Sequence, residues 1–176
     1  MKQLLSILLF LSVFLTNEVF AQNLTVSPSG QTGTSGTNWS ISNGTLTVSG
    51  GAATIQASVI ENHLNNTGDL LLYINGIITV SDAIDYSGSA ERTLTFISKN
   101  NLDVTQPITA TNGALNVILG SNHSYNTGGV SVTNNIATNG GHFYIGGGYA
   151  STTLSWNGLT VPGGNAASYT DGRYGI

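Results

Sequence analysis

The 176-residue chain contains no cysteine. That excludes a disulfide framework, a thiolate metal site and a lipid anchor on an N-terminal cysteine. Charge is nearly as scarce, with four Lys and Arg against eight Asp and Glu, 7% of the residues together. Beyond residue 21 the basic residues are Arg92, Lys99 and Arg173 alone. They are too few and too scattered to neutralise a phosphate backbone, so nucleic acid is excluded as a partner. A coiled coil or helical bundle is excluded as well, because the stretch after residue 21 holds a single Lys and little else at helical spacing. After the first fifteen residues no apolar run reaches membrane-spanning length, so no span is expected in the mature chain.

What is present is Gly, Thr, Asn and Ser, which make up about half of residues 22–176. From Trp39 onward, short runs of Val, Ile, Leu, Thr and Tyr alternate with clusters of Asn, Gly, Ser and Asp. This is the pattern of short strands joined by turns, and the length fits one domain with one core. Residues 1–21 read differently: Lys2, an apolar-rich run from Leu4 to Leu15, then Val19-Phe20-Ala21. The run is too short to span a bilayer and ends in a small residue suited to cleavage, so 1–21 is expected to be a signal peptide and Gln22 the mature start. The protein is accordingly expected to be secreted or at the cell surface.

Residues 22–38 carry one short strand-like run, Leu24 to Val26, among Pro, Gly, Ser and Thr, and read as an N-terminal cap or linker. In Ala52 to Leu64 the apolar positions Ile55, Val59, Ile60 and Leu64 suit a short amphipathic helix, and a strand pair would serve almost as well.

The most informative feature is an internal repeat. Ile78-Thr-Val80-Ser-Asp-Ala-Ile84, Leu102-Asp-Val104-Thr-Gln-Pro-Ile108 and Val130-Ser-Val132-Thr-Asn-Asn-Ile136 align without gaps as aliphatic-x-Val-(Ser/Thr)-x-x-Ile. Val80 and Val104 are 24 residues apart and Val104 and Val132 are 28 apart, the excess falling in the polar insert Ser121 to Thr127. Each segment follows another apolar run, and Leu46-Thr-Val48 and Leu159-Thr-Val161 are weaker echoes. A unit of this length with several strands and no helix predicts one turn of a parallel β-helix over 39–161, with a β-sandwich as the second reading. Alternation then predicts Leu94, Phe96, Leu115 and Val117 inward and Thr93, Thr95 and Asn116 outward. Val80, Val104 and Val132 should stack in one interior column and Ile84, Ile108 and Ile136 in another. Parity at 70–74 and 142–145 is ambiguous. Asn112 and Asn139 fall in equivalent turns, where an amide tolerates the left-handed backbone and can form a ladder between coils.

The coil grammar Thr-Leu-Thr-Phe-Ile, Leu-Asp-Val-Thr and Ile-Thr-Ala-Thr-Asn-Gly within about 70–148 resembles the haemagglutination-repeat region of filamentous-haemagglutinin-like bacterial adhesins. The resemblance implies a right-handed β-helix in a surface or secreted fibre that mediates attachment. The Asn-Pro-Asn-Gly-Ile-like segment of the two-partner-secretion domain is not matched: the nearest stretch is Val26-Ser27-Pro28-Ser29-Gly30.

Chemistry-bearing residues fit this reading. Asp82 and Asp85 could pair for glycoside hydrolysis, but position 82 aligns with Gln106 and Asn134, which suggests a polar outward slot in every coil. His63, His123 and His142 lack metal-ligand spacing and read as surface or loop residues. Thr93/Thr95 and Thr109/Thr111 raise ice binding, though they do not recur in register, and Tyr125, Tyr149, Trp156, Tyr169 and Tyr174 could stack on sugars. No catalytic, metal-ligating or cofactor-binding residue is assigned. Residues 162–176 form a Gly-rich tail without an obvious cap, which favours end-to-end association or a truncated longer protein. The expected function is a non-catalytic adhesin segment that meets surface glycans or proteins, followed by a carbohydrate-active β-helix enzyme and then ice binding.

Overall fold

A computed structural model describes residues 22–121 and 129–147, together with the backbone of 153–156 and 159–162. The repeating turns each contribute three short strands, one to each of three sheets, and pair in parallel with the turns beside them. The chain is a β-solenoid of about five turns, with one short helix among the described residues.

The regular turns run from β6 (Leu70–Ile74) through β7 (Ile78–Val80), β8 (Ile84–Tyr86), β9 (Arg92–Ser98), β10 (Leu102–Val104), β11 (Ile108–Ala110), β12 (Leu115–Ser121), β13 (Val130–Val132) and β14 (Ile136–Ala137) to β15 (Phe143–Gly147). The repeat is visible as register: Val80 pairs with Val104 and Val104 with Val132, while Ile84 pairs with Ile108 and Ile108 with Ile136. All of these except the partly buried Ile136 are buried. On the third side, Leu46, Leu72, Phe96, Leu119 and Ile145 form one inward column, and Leu70, Leu94, Val117 and Phe143 another. Removing a Leu- or Ile-sized side chain from water contributes roughly 1.5–3 kcal/mol. Continuous aliphatic columns therefore hold a coil together without a disulfide.

Parity is now fixed: Leu70, Leu72 and Ile74 point inward, Leu71 and Tyr73 outward, and Tyr144 lies outward in register with Ile118. Thr93 and Thr95 point outward between buried Leu94 and Phe96, as expected. Asn116 also points outward yet is only 2% exposed, because its amide donates to Glu91 Oε1 (2.8 Å) and its carbonyl accepts from His142 N–H (2.8 Å).

The N-terminal part departs from the sequence reading. β1 (Leu24–Gln31), in the segment expected to be a cap or linker, is an interior strand of the five-stranded sheet, which runs β13-β10-β7-β1 and ends on β5 (Ala53–Ile55). Leu24 and Val26 are completely buried and lie in register with Ile78 and Val80 on one side and with Ala53 and Ile55 of β5 on the other. β2 (Ser35–Gly36), β3 (Trp39–Ser42) and β4 (Thr45–Val48) then extend the seven-stranded sheet in antiparallel fashion. Asn43 (φ 49°) and Gly44 (φ 71°) are both left-handed, the requirement of a tight two-residue hairpin turn between β3 and β4. Leu46 consequently pairs with Leu72, not with the valine column. The other weak echo, Leu159–Val161, lies in β17 (Leu159–Pro162), which pairs antiparallel with β16 (Thr153–Trp156) and is not a parallel rung.

Ala52–Leu64 resolves into the single strand β5 followed by the helix α1 (Ala57–Asn66), so the helix alternative holds for Ala57 onward and the strand pair does not form. The helix buries Ala57, Val59, Ile60, His63 and Leu64 and replaces the third strand of its turn. It keeps the coil period: Asp85 N–H donates to Glu61 Oε1 (2.9 Å) and Thr93 N–H to Asp69 Oδ1 (2.9 Å), both 24 residues apart. Glu61 thus occupies backbone hydrogen-bonding capacity at the β8 edge, which would otherwise be open to another strand.

Candidate functional site

The polar residues of the repeat serve the stack first. Ser81 Oγ donates to the Val26 carbonyl (2.8 Å) and Thr105 Oγ1 to the Val80 carbonyl (3.0 Å), so the Ser/Thr after Val80 and after Val104 ties its corner to the rung beside it. Asn134 Nδ2 donates to Thr105 O (3.3 Å) and Asn139 Nδ2 to Asn112 O (2.7 Å). The equivalent turns are therefore joined by the Asn139 side chain on the Asn112 backbone carbonyl, in place of a ladder of paired amide side chains. Asn139 has the expected left-handed backbone (φ 47°), whereas Asn112 is not among the residues with positive φ. Replacing Ser81 with Ala should lower stability by about 1 kcal/mol, the usual net worth of one such bond, as read from the urea midpoint at unchanged m.

Three surfaces remain as candidates. The first is the outer side of the five-stranded sheet, where Ser131, Asp103, Thr79, Thr25 and Thr54 line up across all five strands. Strand spacing puts these groups roughly 4.7–4.9 Å apart. The sequence reading missed this row because Thr25 sits in the presumed linker. The anticipated threonine pairs do not form one: Thr95 is flanked by Leu71 and Ile118, and Thr109 by Asp85 and Ala137.

The second is an acidic seam between α1 and the β7–β8 corner. Asp82, expected as a solvated slot, faces the helix start, where its Oδ2 accepts from Ala57 N–H (3.4 Å). Asp85 is exposed, and Glu61 joins the pair from the helix. Burial pushes the Glu61 carboxyl above the usual glutamate range; the Asp85 N–H bond opposes this, and the Asp85 and Asp82 carboxylates add to it. No local motif marks Glu61, but the 24-residue period from Asp85 would have placed it there. Because the folded state favours the protonated acid, Glu61 contributes most stability below its unfolded pKa and loses that contribution as pH rises through its folded pKa. Glu61→Gln keeps the acceptor and removes the charge. Its stability relative to the parent should therefore increase as pH rises from acid to neutral, a trend readable from urea midpoints across that range.

The third is the outer side of the seven-stranded sheet, where Tyr73 is 43% exposed in register with Ile97. Alternation in the sequence does not assign Tyr73, because parity at 70–74 is ambiguous there. The five aromatics named from the sequence, and His123, lie outside the residues whose side chains are described.

Of the other histidines, His63 corrects the expectation of a surface residue. It is 9% exposed on the inner face of α1, with its ring Nε2 hydrogen-bonded to the Asp69 carbonyl (3.1 Å). His142 is exposed. Among the described residues no group of three or more His, Cys, Asp or Glu could hold a metal ion, and no helix is long and apolar enough to cross a membrane.

No protein-family model, curated protein or solved structure matches this chain. The class defined by the geometry is the β-solenoid.

Proposed function

We propose that the chain is a segment of a secreted or cell-surface adhesin of the filamentous-haemagglutinin type, a non-catalytic β-helical stalk that holds its turns and loops away from the cell. One observation carries this reading: the recurring Ser, Thr and Asn side chains are fastened to neighbouring coils, as Ser81 is to Val26 and Asn139 to Asn112. A sequence that uses its repeated polar positions to stiffen a stack is suited to a spacer. Export through a cleaved leader at residues 1–21 belongs to the same proposal. Beads coated with residues 22–176 should attach to surface glycans or proteins from the source environment and leave polysaccharides uncleaved. Loss of polymer length on incubation, abolished by Glu61→Gln or Asp85→Asn, would favour the carbohydrate-active reading instead.

The row Thr54, Thr25 and Thr79 on three adjacent strands favours ice binding as a second reading, since regularly spaced hydroxyl-bearing residues can order water. Asp103 interrupts that row. Thermal hysteresis that disappears in Thr79→Lys would support it.

A further inference from the structure

β1 occupies an unusual position. The other rungs of its sheet follow one another by single turns of chain, from β5 to β7 to β10 to β13, and β1 is inserted between the first two of them. Its neighbour β7 is therefore remote in sequence, with Val26 54 residues from its partner Val80, while Ile55 of β5 is 29 residues from Val26. On one side Leu24 N–H donates to Ile77 O and Ser81 N–H to Val26 O, each at 2.9 Å; on the other Ala53 N–H donates to Asn23 O (2.9 Å). Two complete strand edges, one from β5 and one from β7, thus define a slot filled by a segment contiguous with neither. The resident carries the solenoid's own pattern, Leu24-Thr-Val26-Ser27.

The connection leaving the slot lies at the surface. Residues 32–37 are all exposed and Gly33 is left-handed (φ 100°), while β2 within them pairs with β3, Ile41 N–H donates to Thr34 O (2.8 Å) and Thr37 N–H to Gln31 Oε1 (2.8 Å), so opening gives up these few bonds and no buried side chain. Before this connection the chain is anchored: Gln31 O accepts from Gln56 N–H (2.9 Å), and Gln31 Oε1 accepts from the Trp39 indole (2.8 Å). A strand that is firmly held at both edges yet joined through an exposed glycine-containing connection can exchange between copies, because an incoming identical strand restores every contact in the slot.

We propose that the position between β5 and β7 is a strand-acceptor slot that takes residues 22–31 from a second copy of this chain, by opening of the 32–37 connection. The swap changes only the path of the connection, so exchange between copies rises with protein concentration. It does not depend on the adhesin reading.

The test uses the full chain with a protease site placed between Thr34 and Ser35, folded first and then cut. An excess of labelled peptide 22–31 should displace the resident strand to one label per chain, and unlabelled peptide should compete. A Val26→Asp peptide should enter at least about tenfold less well, because it would bury a carboxylate among aliphatic side chains. No uptake while the rest of the protein stays folded, or equal uptake of the Val26→Asp peptide, would overturn the proposal. In the uncut chain, deleting Thr32 and Gly33, which leaves β2 in place, should convert the protein to a dimer by light scattering, since the shortened connection disfavours return to its own slot. A folded monomer would contradict the second-copy part. If the deletion does not fold, the cut full chain decides.

Discussion

Val26→Asp should destabilise the protein by more than about 3 kcal/mol, because it places an unpaired carboxylate in a closed aliphatic column. Val26 is fully buried between Val80 and Ile55, and neither neighbour can solvate a charge. If residues 22–38 were only a linker, the same change would fall within about 0.5 kcal/mol of neutral, as surface substitutions do. Thr25→Ala, on the outward side of the same strand, is the matched control and should be nearly silent. Urea unfolding of the three proteins separates the accounts. A Val26→Asp protein with an unchanged midpoint would remove β1 from the sheet.

Phe96→Ala should cost about 3–5 kcal/mol, the range for deleting a buried aromatic ring and leaving a cavity. Phe96 is fully buried at the middle of the inward column Leu46, Leu72, Phe96, Leu119 and Ile145. Parallel rungs are held in register by hydrogen bonds on both sides, so they cannot close up readily around the lost ring. Set against a total stability of about 5–15 kcal/mol for an ordinary domain, a loss of this size brings the unfolded state within reach at moderate temperature. The check is the shift in urea midpoint at unchanged m; a shift worth less than about 1 kcal/mol would mean that the column is not continuous.

The regular turns were legible because their signal is local and repeated. The Val and Ile columns, and the inward Leu94 and Phe96, follow from seven-residue segments whose alternation can be read directly. What escaped was whatever the topology takes out of sequence order. Leu24-Thr-Val26-Ser27 has the repeat's own pattern, but its neighbours Pro28 and Gly30 give it the look of a linker, and its partner in β7 lies 54 residues away, about two coil lengths. Asn43-Gly44 between Ile41 and Leu46 is a strong local hairpin signal, yet Leu46-Thr-Val48 also matches the coil pattern, and that reading hid the antiparallel pairing.

The candidate surfaces were less legible still. The hydroxyl row on the five-stranded sheet needs β1 in place before Thr25 can join Thr79 and Thr54. Glu61 reaches Asp85 only because α1 substitutes for a strand without changing the coil length. Asn116 is polar and points outward, and alternation does not reveal that Glu91 and the His142 N–H would cover it.

The claim that this solenoid works outside the cell as an attachment stalk is tested most directly by locating the native polypeptide. Intact source cells and their medium would be probed with an antibody raised against residues 70–121, before and after treatment with an external protease. The antigen should be accessible on the intact cell surface or present in the medium, and protease should remove it without lysis. An antigen found only inside the cells, protected until they are broken, would contradict the account.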